Sequence, residues 1–227
     1  MTKPGANYWT VPREWPGETV FLLAGGPSLT GFDPEILRGR GRVIAINNSY
    51  VLCPWADALY FCDVSWWKHH RDEVLKTFTG KHMISMGMSG DGVRRLRNSG
   101  LAGLETDPGG LRHGTNSGYQ AINLAYHFGA KRIVLLGYDM RVNASQTNGR
   151  KTERAHWHQG HPWNHIDYPA YERIMKENWL PRFSLLAEPL ASAGVEILNA
   201  TPGSALTCWP MRSLEDILQP QTAEVAA

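Results

Sequence analysis

The sequence has almost no net charge, little cysteine and no long apolar stretch. Its 227 residues carry 23 Lys and Arg against 21 Asp and Glu, a formal charge of +2, so no strong attraction to polyanions is expected. No apolar run approaches the length of a membrane span, and the polar N-terminus does not resemble a signal peptide. The three cysteines lack metal-site spacing, which favours reduced, mostly buried thiols in a cytoplasmic protein.

Several nucleotide-binding motifs are missing as well. The chain contains no Walker loop, no GxGxxG and no Asp-x-Asp. The last absence argues against a sugar nucleotide held through a divalent metal. Tryptophan, by contrast, is abundant, with nine in the chain. Four of them stand in polar surroundings, Trp66, Trp67, Trp157 and Trp163. Such side chains either stack on sugars and bases or fill the core.

Short apolar runs alternate with helical or irregular stretches along the chain. The runs cover residues 19–24, 42–46, 58–62, 82–86, 132–136 and 195–198. Most do not alternate with polar residues, as expected of strands covered on both faces. The pattern predicts an α/β fold with a single Rossmann-like, doubly wound, mainly parallel sheet. We expect one nucleotide-binding domain over residues 1–218 and a disordered tail over residues 219–227.

Three stretches between the strands predict helices. Residues 65–78 have helical composition, and residues 116–128 have apolar side chains at helical spacing before a terminating Gly129. Residues 168–192 predict one long helix that breaks or bends at Pro181 and at Pro189.

The loops after the strands hold the residues that could bind a ligand, because ligands of such sheets lie beyond the carboxyl ends of the strands. A glycine-rich turn follows the first strand, Asn47 follows the second, and Asp63 follows the third. A helix start follows later, and its free N–H groups favour an anion. The residues concerned are Gly25, Gly26, Pro27, Ser28, Asn47, Asp63, Thr115, Asn116, Ser117, Gly118 and Asp139. We expect Ser28, Asn47 and Ser117 to converge on one cavity.

In order along residues 19–218, these pieces resemble the bacterial sialyltransferases that use CMP-activated sialic acid. The matching pieces are GGPSL after the first strand, the strand ending in Asn47, SGYQAINLAYHFGAKRIVLLGYDM, and GVEILNATPGSAL near the C-terminus. A wider group of proteins resembles these enzymes in scaffold, including prophage proteins of unknown role and pterin pyrophosphokinases. The resemblance implies that Gly25, Gly26, Ser28, Asn47, Asp63, Ser117 and Gly118 line a nucleotide pocket.

The chain departs from the family pattern at three places. Gly25 stands where the family has an asparagine, and Asp63 stands where it has a second asparagine beside the base. Because a carboxylate cannot donate a hydrogen bond, the resemblance does not extend to cytidine specificity. The family's tyrosine near the leaving phosphate is replaced by Met140 and Arg141, and Arg141 could stabilise that phosphate by its charge.

A histidine-rich segment lies in the longest non-apolar part of the chain. Four of the nine histidines fall within residues 156–165, and a segment of this length predicts a lid, about residues 141–167. His161 and His165 have the His-x-x-x-His spacing of the sialyltransferase lid, whose first member resembles a general base. The resemblance therefore implies His161 as the base, with His165 second. A metal site at His156 and His158, or a surface loop, remains open.

These observations favour a metal-independent glycosyltransferase that needs no cofactor beyond its nucleotide-activated donor. The acceptor could be a glycan, a small metabolite or a modified nucleic-acid base. One alternative is a nucleotide phosphotransferase or pyrophosphokinase that uses Mg²⁺, with Asp63 and Asp139 as ligands. Another is a noncatalytic nucleotide-binding or phage-associated structural protein. Both a monomer and a homo-oligomer are compatible with the sequence.

Overall fold

The computed structural model describes residues 7–147, 150–158 and 167–219. Its centre is a seven-stranded sheet in the order β11-β8-β1-β2-β3-β4-β5, and every neighbouring pair is parallel. The seven strands are β1 (Thr19–Leu23), β2 (Arg42–Ile46), β3 (Ala58–Phe61), β4 (His82–Ser85), β5 (Val93–Arg95), β8 (Arg132–Leu136) and β11 (Glu196–Asn199). The predicted α/β class and parallel sheet are confirmed.

Both faces of this sheet are covered, which explains the absence of alternation in the apolar runs. Along β1, Val20 and Leu22 belong to one buried cluster, whereas Phe21 and Leu23 belong to the other. Helix α2 (Ser117–Phe128) and helix α4 (Leu180–Ser192) pack in the first cluster, and helix α1 (Val64–Thr77) packs in the second. The sheet is therefore doubly wound, as predicted.

Helix α2 begins and ends at the residues that its sequence predicts. Asn116 caps its start, and Gly129 ends it at φ +100°, a conformation that favours glycine. Ten of its twelve residues are buried, so the helix is held by packing along most of its surface.

The predicted long C-terminal helix is continuous through Pro181 and Pro189, and its irregularity lies before both prolines. Helix α3 (Tyr168–Ile174) runs into a π-helical segment (Met175–Trp179) that leads directly into α4. Pro181 stands in the first turn of α4, where its missing N–H is tolerated, and Pro189 lies inside the helix. The irregularity therefore precedes Pro181 by one turn, and π-helical turns are frequent at functional sites.

Short pairings that the sequence analysis missed complete the described chain. Strands β6 (Arg97–Asn98) and β7 (Gly110–Leu111) pair in parallel. Strands β9 (Asn143–Thr147) and β10 (Arg150–Arg154) form an antiparallel hairpin inside the stretch expected to be a lid. Helix α5 (Leu214–Leu218) ends the described residues. The expected tail, from residue 220 on, lies outside them.

Within the described ranges, no helix is long and apolar enough to cross a membrane. The three cysteines are all free thiols. Cys53 is buried, whereas Cys62 and Cys208 are half-buried, and burial raises the pKa of each thiol, to about 12 for Cys53 and about 11 for the other two. Buried thiols of raised pKa are poor nucleophiles at neutral pH, which favours a packing role.

Candidate functional site

A cavity of about 260 Å³ lies at the carboxyl edge of the sheet, where the loops after β1, β2, β3 and β8 meet the start of α2. Strand β1 lies between β2 and β8, so the chain order reverses at this point, and doubly wound sheets bind ligands there. The cavity is lined by ten of the residues singled out from the sequence: Gly25, Gly26, Asn47, Asp63, Thr115, Asn116, Ser117, Gly118, Asp139 and Arg141.

Two residues of the glycine-rich turn do not line this cavity. Pro27 is buried in a short 3₁₀ turn. Ser28 turns away to Asp139, whose carboxylate accepts hydrogen bonds from the Ser28 N–H (3.0 Å) and from its hydroxyl (2.7 Å). The expected convergence therefore includes Asn47 and Ser117 but not Ser28, because a buried carboxylate is a stronger acceptor than a neutral group.

Asp139 holds the glycine-rich turn against the end of β8. It is 2% exposed, and burial raises its pKa, although the bonds from Ser28 act in the opposite direction. Gly26 donates its N–H to the carbonyl of Gly137, and a Cβ at Gly26 would collide with both that carbonyl and the Asp139 carboxylate. Gly26 is thus required for close approach of the two loops.

The start of α2 lines the cavity with Asn116, Ser117 and Gly118. Gly114 and Thr115 have φ values of +55° and +57°, and they turn the chain into the helix. The Asn116 side chain accepts from the N–H of Tyr119 (3.1 Å), so this cap leaves the N–H groups of Ser117 and Gly118 for a ligand. Together with the helix dipole they favour an anion.

Arg141 adds a positive charge on the same side. Arg141 lines the cavity and is exposed. Its positive charge lowers the pKa of Asp139, which opposes the larger raising effect of burial. The hydroxyl of Tyr138 donates to the carbonyl of Gly118 (3.0 Å), which ties the start of α2 to the end of β8. The loop after β8 therefore carries Arg141 and is joined to the start of α2.

On the other side, polar side chains follow β2 and β3. Asn47 has a φ of +50°, and its Oδ1 is buried with no hydrogen-bond partner among the described residues. Asn48 accepts a hydrogen bond from the Trp66 indole at 2.7 Å. Asp63 is exposed and caps α1 by accepting from the N–H of Ser65 (2.9 Å). A buried acceptor without a partner is costly, so this side of the cavity is poised for a ligand donor.

Among the cavity-lining residues that the sequence analysis did not assign to the pocket are His156, His158, Tyr171, Met175 and Trp179. The last three follow one another at intervals of four along the helix that starts at Tyr168, and that spacing could have marked one helix face. Burial raises the pKa of Tyr171 to about 12. The Trp179 Nε1, like the Asn47 Oδ1, is buried without a hydrogen-bond partner in the described chain.

Residues 155–158 contribute to one wall of the cavity. The N–H of Trp157 donates to the carbonyl of Gly25 (3.0 Å), and the His156 and His158 rings stack with centroids 5.0 Å apart. A Cβ at Gly25 would stand 3.1 Å from the Nδ1 of His156. His156 therefore occupies the space that a side chain at position 25 would need, which gives a physical reason for the glycine there.

The two histidines proposed for catalysis, His161 and His165, lie outside the described residues, as does Trp163. Among the residues that are described, no group of three or more His, Cys, Asp or Glu side chains is placed to hold a metal ion. Both Asp139 oxygens accept from Ser28, and this engagement speaks against its role as a magnesium ligand. Metal independence remains a prediction.

A larger cavity of about 530 Å³ lies beside the first and shares Gly137 with it. Its walls are mainly apolar, with Leu29, Phe32, Leu136 and Leu214 among them. The smaller cavity is the candidate site, because within the described residues it alone combines strand ends, the start of a long helix and unpaired polar atoms.

Comparison with known proteins adds one structural likeness. No family model matches the chain, and no curated protein matches it. Among solved structures, the chain is similar to the sialyltransferase CstII from Campylobacter jejuni, solved in complex with a substrate analogue, cytidine-5'-monophosphate. The two chains are 12% identical, the match covers 86% of this chain and 85% of that chain, and the TM-score is 0.49. A likeness of that degree carries no argument about activity, and the fold is established by the strand pairing itself.

Proposed function

We propose that this protein is a glycosyltransferase-like enzyme that binds a nucleotide-activated sugar in the 260 Å³ cavity. The observation that carries the proposal is the convergence of four strand ends and the start of α2 on one cavity at the point where the strand order reverses. The resemblance of the same loops to sialyltransferase motifs supports it. A nucleotide fits the chemistry of this cavity, which combines the start of α2 and Arg141 with the carboxamides that follow β2.

In this reaction an acceptor hydroxyl attacks the anomeric carbon of the donor sugar. The bond from that carbon to the phosphate oxygen breaks, and the proton of the acceptor passes to a general base. Charge develops mainly on the departing phosphate, where the N–H groups of Ser117 and Gly118 and the Arg141 guanidinium would stabilise it. His161 is the base we propose, on the lid spacing alone, with His165 second.

The test is a thermal-shift panel of nucleoside monophosphates, each with excess EDTA and with Mg²⁺. Selective binding raises the unfolding midpoint by mass action, and we expect it to persist in EDTA. Binding that disappears in EDTA and returns with Mg²⁺ would favour the phosphotransferase instead. Absence of binding by every nucleotide would remove the proposal altogether.

A further inference from the structure

The polar side chains at one end of the cavity define the base that it could accept. Asn47 and Asn48 follow β2, and Asp63 follows β3. Arg141 follows β8, and β8 lies three strand spacings from β3, or about 14 Å. A nucleotide with its phosphate near β8 would therefore extend its base toward Asn48 and Asp63.

One hydrogen bond fixes which end of the Asn48 carboxamide remains for a ligand. Its Oδ1 accepts from the Trp66 Nε1 at 2.7 Å, and Trp66 is 2% exposed. A buried indole N–H needs an acceptor, so this bond selects the amide orientation with oxygen toward Trp66. The Nδ2 group, a donor, is what Asn48 has left for the cavity.

The neighbouring side chains provide acceptors. Asp63 uses Oδ1 to cap α1, and its Oδ2 takes no part in that cap. Asn47 contributes the buried Oδ1 that has no partner in the described chain. This end of the cavity thus offers the Asn48 amide donor next to the Asp63 carboxylate, with the Asn47 carboxamide beside them.

We propose that the nucleotide bound here carries guanine, an inference that rests on the proposed function. Guanine presents one acceptor, O6, followed by two adjacent donors, the N1–H and the N2 amine. O6 would accept from the Asn48 Nδ2, and both donors would bind the Asp63 carboxylate, as bidentate charge-assisted pairs do.

The other common bases match less well. Cytosine places N3 and O2, both acceptors, beside its amine, and uracil has a single N–H between two carbonyls. Adenine has an amine next to the N1 acceptor. None of them presents two adjacent donors, so none can pair with both oxygens of the Asp63 carboxylate.

The experiment measures the Kd of GMP, IMP, XMP, CMP, UMP and AMP by calorimetry for the full chain and two variants. IMP lacks the N2 amine, so it should bind about ten- to a hundredfold more weakly than GMP, the worth of one charge-assisted hydrogen bond. Asp63→Asn keeps the helix cap, since asparagine caps as well as aspartate. It should weaken GMP by a similar factor and strengthen XMP, whose O2 accepts from the new amide.

Asp33→Asn is the matched control. Asp33 also caps a turn by accepting from a backbone N–H, that of Glu35 at 3.0 Å, but it does not line the cavity. It should leave every Kd unchanged. Tighter binding of CMP, UMP or AMP than GMP by the unaltered chain, or an Asp63→Asn variant with unchanged GMP affinity, would overturn the guanine assignment alone. Failure of all six nucleotides to bind would overturn the proposed function and this inference with it.

Discussion

At the scale of single residues, Gly26 has no room for a side chain. Its φ of −65° suits any amino acid, so only steric contact forbids a side chain. We expect Gly26→Ala to lower the free energy of unfolding by about 1–3 kcal/mol, because its Cβ meets backbone and a buried carboxylate. Gly109→Ala is the control, since its Cβ would stand at an ordinary 3.4 Å from its nearest neighbour. Equal urea midpoints for the two variants would contradict the prediction.

A second residue-scale prediction concerns His161. If it is the general base, His161→Ala should leave the nucleotide Kd nearly unchanged, because the base acts on the acceptor. Turnover should fall by roughly 10²–10⁴-fold. The rate of the unaltered enzyme should rise with pH through an apparent pKa of about 6.5. His165→Ala is the matched control and should reduce turnover less. Near-normal turnover of His161→Ala would remove this residue from the mechanism.

At the scale of elements, the start of α2 has two separable roles, capping the helix and binding an anion. Asn116→Ala removes the cap and should lower the free energy of unfolding by about 1 kcal/mol. Asn116→Asp keeps the cap, and its negative charge even suits the helix dipole, so stability should hold. The same charge would repel a bound phosphate.

We therefore expect Asn116→Asp to weaken nucleotide binding while its unfolding midpoint stays near that of the unaltered protein. Calorimetry and urea unfolding on the same samples would separate the two effects. Unchanged nucleotide affinity in Asn116→Asp would mean that the phosphate does not lie at this helix start.

At the scale of the whole molecule, stability should fall as the solution becomes mildly acidic. Burial lowers the pKa of His70, His82 and His127 below the value of an exposed histidine. Between the folded and unfolded pKa values the unfolded chain binds more protons, so the free energy of unfolding decreases as the pH drops below about 6.5. The raised pKa of Asp139 has the opposite effect on the free energy of unfolding, but it is one group against three histidines.

The measurement is urea unfolding at about pH 7.5, 6.5 and 5.5. The slope of the unfolding free energy against urea concentration should be the same at each pH if unfolding is two-state. The midpoint should be lowest at the most acidic of the three. A midpoint that stays constant or rises toward acid would show that these histidines are not buried in their neutral form.

Local patterns were enough to place the six main strands and helices α1 and α2. A strand buried on both faces must be a short apolar run, and a helix such as α2 carries its own start and stop residues. Strand β5, by contrast, has one buried apolar residue among three, and it becomes a strand only because β4 offers an edge. The π-helical segment likewise has no local signature that distinguishes it from the helices on either side.

The candidate site was also predictable from sequence only in part. Loops after parallel strands necessarily meet at one edge, so Asn47, Asp63 and Ser117 could be brought together from sequence order alone. The orientation of Ser28 depends on Asp139, 111 residues away, and that contact exists only once β1 and β8 pair. The helix face of Tyr171 and Trp179 and the imidazole of His156 likewise reach the cavity through long-range packing. Sequence therefore determined which backbone segments meet, and tertiary structure decided which side chains face the ligand, because side-chain direction depends on partners distant in the chain.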